Sequence, residues 1–125
     1  MTNSPRVTRI GSVIVPVKDQ ERALSFYVET LGFEKRMDAP FAGGRWIEVA
    51  PVGAATTIAL VESGEAVTPG IVVSLATENA DDDHATLVAR GVDADAEVIR
   101  MGDYVPPMFT FRDPDGNQLR MVQRD

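Results

Sequence analysis

Residues 10–33 read IGSVIVPVKDQERALSFYVETLGF. Ile10 to Val17 is short and β-branched, the composition of a strand buried largely on both faces. Asp19-Gln20-Glu21 then puts acidic and polar residues where a helix begins. Ala23, Leu24, Tyr27, Val28 and Leu31 recur at helical spacing until Gly32 stops the helix. This is the opening of a βα unit, and the rest of the chain is read outward from it.

Three strand-like stretches follow, Phe33 to Met37, Arg45 to Ala50 and Thr56 to Val61, separated by Pro40/Gly43-Gly44 and Pro51/Gly53. The order is β-α-β-β-β. A polar segment, ESGEAVTPG over Glu62 to Gly70, reads as a linker, and the order then begins again. Gly70 to Ala76 is a strand. Asn79 to Arg90 is a helix with Asp81-Asp82-Asp83 in its first turn, favourable to the helix dipole, and Gly91 at its end. Strands are predicted at Val92 to Ile99, Met108 to Arg112 and Asn117 to Val122, the last two joined by the tight-turn sequence Asp113-Pro114-Asp115-Gly116. The repeated order predicts an internal duplication within one domain over 1–125: modules at 9–62 and 70–123, and a linker at 63–69.

Composition limits the chemistry. The 125 residues carry 12 Lys+Arg against 19 Asp+Glu, a formal net charge of −7, with no cysteine and one histidine. Without cysteine there is no thiolate nucleophile, iron–sulfur cluster or thiolate zinc site. With His84 alone, one chain cannot build a two-histidine, one-carboxylate centre. The acidic balance and scattered cations argue against nucleic acid. No apolar run approaches the ~20 residues of a membrane span and the start shows no signal-peptide pattern, so a cytoplasmic protein with no membrane partner is expected.

Val17-Lys18-Asp19, Ala23-Leu24-Ser25-Phe26-Tyr27, Leu31-Gly32-Phe33, Arg45 to Pro51 (RWIEVAP), Ala89-Arg90-Gly91-Val92 and Phe111 to Asn117 (FRDPDGN) together resemble the vicinal oxygen chelate superfamily. Glyoxalase, extradiol dioxygenases, fosfomycin-resistance enzymes and bleomycin-resistance proteins belong to it. The resemblance runs over residues 9 to 123. It implies an α+β fold of two tandem βαβββ modules whose curved mixed sheets form a cup, and commonly a homodimer. In metal-dependent members it implies one ligand on each of four strands, usually His, Glu or Gln. Carried onto this sequence, those positions are Ser12, Glu48, Val72 (or Ile71) and Arg120. One plausible donor among four, with a guanidinium at another position, predicts no metal and no other cofactor.

Strand parity puts Trp46, Glu48 and Ala50 on one face and Arg45, Ile47 and Val49 on the other. It likewise groups Ser12, Ile14 and Pro16, and Gln118, Arg120 and Val122. The resemblance turns the Glu48 face toward the cup, and the repeat then suggests Phe109 and Phe111 as cup-lining partners of Trp46 and Glu48. A buried lone charge is costly, so either Glu48 and Arg120 pair where the family holds its metal, or each is solvated at the rim of the cup. The loops Asp38 to Gly44 and Met101 to Pro107 suit flaps over the cup, each with one aromatic, Phe41 and Tyr104. His84 lies four residues after Ala80, three before Leu87 and four before Val88, on the apolar face of its helix, and is expected to pack outside the sheet.

The leading expectation is a metal-free small-molecule binding protein of the bleomycin-resistance type. Its ligand-binding set is Ser12, Phe41, Trp46, Glu48, Tyr104, Phe109, Phe111 and Arg120. The acidic net charge favours cationic aromatic compounds. Two alternatives stand beside it. One is a lyase or dioxygenase-type enzyme, metal-dependent or using Glu48 and Arg120 as catalytic residues. The other is an interaction or structural domain with a collapsed cup.

Overall fold

The fold is taken from a computed structural model, which describes residues 6, 9–63, 72–103 and 105–124. Tyr104, Ile71 and all but Ser63 of the expected linker lie outside the described residues.

The first module runs β1 (Ser12–Val17), α1 (Gln20–Ser25), a π-helical turn (Phe26–Thr30), β2 (Glu34–Phe41), β3 (Gly44–Ala50) and β4 (Thr57–Glu62). The second runs β5 (Val72–Thr77), α2 (Ala80–Ala89), β6 (Asp93–Ala94), β7 (Met108–Arg112) and β8 (Gln118–Gln123). Sheet A has the order β1-β4-β3-β2 and sheet B the order β5-β8-β7-β6. In each, the first and last strands pair in parallel, Ser12 with Thr57 through Val17 with Glu62, and Val72 with Gln118 through Thr77 with Gln123. The duplication read from element order is thus also one of register, and the fold is the expected α+β pair of βαβββ modules.

Each helix starts on a side-chain cap. Asp19 accepts from the Arg22 amide at 3.1 Å and Asn79 from the Asp82 amide at 3.0 Å, each satisfying a first-turn N–H that lacks a helical partner. Each ends at a glycine with positive φ, 81° at Gly32 and 78° at Gly91, conformations a β-carbon disfavours. The second half of the first predicted helix winds wider than an α-helix, with the Leu31 amide on the Phe26 carbonyl at 3.1 Å, which helical spacing alone does not foretell.

Three expectations change. The strand expected over Val92 to Ile99 contracts to Asp93–Ala94, with the Asp95 amide still on the Thr110 carbonyl at 2.9 Å and one further bridge from Ile99 to Met108. The stretch Asp38 to Gly44 is no flap: Asp38 to Phe41 continue β2, and Ala42-Gly43, with φ of 50° and 83°, make a tight hairpin turn. Pro40 is tolerated there because β2 is the outer strand of its sheet. Finally, β1 is buried on one face only, since Ile14 is 55% exposed.

The core lies on the helix side of both sheets. Val15, Val17, Ile47, Val49, Ile58 and Leu60 of sheet A join Ala23 and Tyr27 of the first helix, and the same cluster continues into Leu87, Phe109, Phe111 and Leu119 of the second module. Fully burying side chains of this size contributes roughly 1.5–3 kcal/mol each. The helix-side faces of the two sheets therefore turn toward each other, and their opposite faces turn outward.

The turn after β7 clasps the modules together. Asp113 is buried and its carboxylate accepts four bonds: from the Tyr27 hydroxyl at 3.0 Å, from Asn117 Nδ2 at 2.9 Å, and from the amides of Asp115 and Asn117 at 2.9 Å each. Asn117 Nδ2 also donates to the Pro16 carbonyl at 2.8 Å, and Asp115 accepts from the Lys18 amide and from Arg22. Burial first, then the Asp113 charge and its hydrogen bond, raise the Tyr27 pKa and keep the phenol neutral.

Candidate functional site

The outward face of sheet A is where the sequence placed Glu48, and parity holds. Ile47 and Val49 are fully buried on the helix side, which leaves Trp46, Glu48 and Ala50 outward. Register sets Glu48 between Met37 on β2 and Ala59 on β4, with Ile14 on β1 beyond Ala59 and Ser12 beside Thr57. Phe41, across from Gly44, stands near Trp46, their ring centroids 5.5 Å apart at 67°. Ile14, Met37 and Phe41 are 55%, 47% and 62% exposed, so an apolar, aromatic surface lies uncovered on this side of the chain.

Glu48 sits within it as a fixed acceptor. Thr57 Oγ1 donates to its Oε1 and Trp46 Nε1 to its Oε2, both at 2.6 Å. These two bonds, Thr57 ahead of Trp46, lower the Glu48 pKa against the opposing effect of burial, with the more distant Arg9 adding a little. The carboxylate is therefore ionised at neutral pH and locked in orientation. Each of its oxygens still has a lone pair for an incoming N–H.

The outward face of sheet B is different. Arg120 on β8 registers with Ser74 on β5 and Thr110 on β7, and all three point outward together with Arg112 and Gln118. Arg112 pairs with Asp95 at 2.8 Å and Asp93 at 3.6 Å. Arg120 is exposed and makes no hydrogen bond or ion pair among the described residues.

Two site expectations are corrected here. Phe109 and Phe111 do not line the cup: both are fully buried on the helix side, where Phe109 meets the His84 ring at 5.0 Å. In a sheet with one face packed and one open, the bulky members of the Met108-Phe109-Thr110-Phe111-Arg112 alternation go to the packed side. The register equivalents of Trp46 and Glu48 are Met108 and Thr110. Nor do Glu48 and Arg120 pair within the chain: among the described residues no ion pair joins them, because they stand on the outward faces of different sheets. His84 packs as expected, its Nε2 2.7 Å from the Asp95 carbonyl.

The residues at the family's ligand positions do not suit a divalent metal. Arg120 is a cation and Val72 has no donor atom, which leaves Glu48 as the one carboxylate among the four positions. Register shows that the first-module equivalent of Arg120 is Ala59, beside Ile14 as Arg120 is beside Ser74. Among the described residues no three His, Cys, Asp or Glu side chains come together. Ser12 is half-buried beside Thr57.

A cleft of about 460 Å³ opens elsewhere, between helix-side residues Val13, Phe33, Val49 and Ile58 and the strand β5. It shares only Thr57 with the Glu48 face, and none of its lining residues is charged. Sequence reasoning missed Met37 and Thr57 as parts of the Glu48 face. The hairpin register about Ala42-Gly43 would have found Met37; Thr57 depends on a bond between strands.

The family model for the Glyoxalase/Bleomycin resistance protein/Dioxygenase superfamily matches residues 9–121. YurT of Bacillus subtilis (strain 168) is 30% identical over 120 residues, spanning 86% of this chain and 93% of that protein. YetH of the same organism is 40% identical over 55 residues, which is 43% of this chain and 46% of YetH. TnmS3, described as an antibiotic binding protein from Streptomyces sp. CB03234, superposes with a TM-score of 0.83 at 37% identity, covering 98% of this chain and 100% of that one.

Proposed function

The chain belongs to the Glyoxalase/Bleomycin resistance protein/Dioxygenase superfamily, and from that membership we propose a metal-free binding protein for small aromatic compounds that carry a cation or an exposed N–H donor. The observation that carries this reading is the outward face of sheet A. There an ionised carboxylate, held by Trp46 and Thr57, is surrounded by the uncovered side chains of Ile14, Met37 and Phe41. An aromatic ligand gains by covering that apolar surface, and its positive or donor group gains by meeting Glu48 in a partly desolvated site. The likeness to TnmS3, an antibiotic binding protein, supports a small-molecule ligand.

One chain presents only one wall of a cup in each outward direction, because its two sheets share their helix sides. A homodimer completes the cup by laying the sheet B face of one copy over the sheet A face of another. As a catalyst Glu48 is poorly placed: a general base works best with a pKa near the operating pH, and its neighbours push it the other way. No helix among the described residues is long and apolar enough to cross a membrane, and a cytoplasmic location is part of this proposal.

The test is a thermal-shift panel of cationic, neutral and anionic aromatics on purified, dialysed protein, with metal content measured on the same sample. Cationic aromatics are expected to raise Tm and anionic ones to leave it unchanged. No response to any aromatic, or stoichiometric nickel, zinc, manganese or iron surviving dialysis, contradicts the reading.

A further inference from the structure

The two outward faces carry opposite, uncompensated charges. On sheet A, Glu48 is ionised, and its two hydrogen-bond donors, Trp46 and Thr57, are neutral. The nearest contributing cation, Arg9, acts on Glu48 at a distance and gives its own hydrogen bond to the Ala55 carbonyl at 2.6 Å. On sheet B, Arg112 is matched by Asp93 and Asp95, which leaves Arg120 as the cation within strands β7 and β8 that has no partner among the described residues. Its register neighbours, Ser74 and Thr110, are neutral.

The topology says where these charges can meet. They cannot meet within the chain, since the shared core holds the two faces outward. Yet β1 and β5 are the outer strands of their sheets, and around them the positions correspond. Ile14 beside Ala59 next to Glu48 matches Ser74 beside Arg120 next to Thr110. A second copy is the occupant with the complementary charge, and a twofold arrangement of two copies buries both faces of each.

We propose that Glu48 of one copy and Arg120 of a second copy ion-pair across the composite cup, once in each of the two cups of a dimer. This rests on the two-copy reading above and adds the residues that select the partner. A cationic ligand reaches Glu48 by taking the place of the second copy's Arg120, so the ion pair and the ligand compete for one carboxylate. Arg120 thereby becomes a specificity residue contributed in trans.

The experiment exchanges the charges. E48R and R120E are prepared separately, their folding checked by circular dichroism, and their self-association measured by sedimentation against the wild type. Each variant places like charges in both cups of its own dimer and is expected to self-associate at least about 10-fold more weakly. Mixed in equal amounts, the two variants place opposite charges in both cups, so heterodimers are expected in large excess over either homodimer, as counted by native mass spectrometry. E48Q and R120Q, milder changes, are each expected to weaken association without this recovery on mixing. A statistical mixture of species, or single variants that associate like the wild type, overturns the ion pair while leaving the dimer in place. A wild-type chain that stays monomeric at every concentration overturns the two-copy cup as well.

Discussion

Asp113, at the joint between the modules, and Glu48, on the outward face of sheet A, are both carboxylates held in place by hydrogen bonds. Asp113 is buried and receives four donors, from Tyr27, Asn117 and two backbone amides. Its acceptor capacity is spent inside the fold. Glu48 receives two donors, is half-buried, and stands among exposed apolar side chains. A saturated buried carboxylate secures structure. One with free lone pairs on an uncovered apolar face is available to something outside the chain.

The largest effect is expected at Asp113. Asp113→Ala strips a charged acceptor from four donors and is expected to cost about 3–4 kcal/mol in urea unfolding. A loss below about 1 kcal/mol would show that the clasp contributes little. Next comes Tyr27→Phe, expected to cost about 1–3 kcal/mol. It also carries a pH signature. The folded state holds the phenol neutral with a raised pKa, whereas the unfolded chain ionises it near the ordinary value of 10.0. The stability it contributes is thus complete below that pH and is lost as pH rises beyond it. Urea midpoints should fall more steeply above pH 10 in the wild type than in Tyr27→Phe, and parallel curves would remove the linkage.

The smallest expected stability effect is at Glu48. Glu48→Gln should change unfolding free energy by less than about 1 kcal/mol while weakening a cationic aromatic ligand about 10-fold or more. Because the folded-state pKa is lowered, its contribution is present above the ordinary carboxyl value of 4.5 and fades as pH falls below it. The small gap between wild type and Glu48→Gln should therefore close on acidification through that range. A gap that widens there would reverse the sign of the argument.

These two regions also differ in how far the sequence reveals them. The order of elements, the helix-ending glycines and the FRDPDGN turn are local, so composition and spacing expose them. Parity along β3 grouped Trp46 with Glu48, and along β8 it grouped Arg120 with Gln118, because a buried sheet face imposes a period of two. Phe109 and Phe111 were misplaced because parity groups residues without saying which group faces the helix, and a weak internal repeat is readily misaligned by one. The Tyr27–Asp113 bond joins residues far apart in sequence. Neither that bond nor the outward turn of the two sheets leaves a local mark. The absence of a Glu48–Arg120 pair within the chain follows from the same arrangement.

Trp46 is the only tryptophan in the chain and donates directly to Glu48, so its fluorescence reports on the proposed binding surface itself. Titrating the wild type and Glu48→Gln with an aromatic cation and its uncharged isostere tests the central claim most directly. Saturable quenching of the wild type by the cation is expected, with at least about 10-fold weaker binding of the isostere and loss of that preference in Glu48→Gln. Equal affinity for both compounds, or a preference that survives in Glu48→Gln, would contradict it.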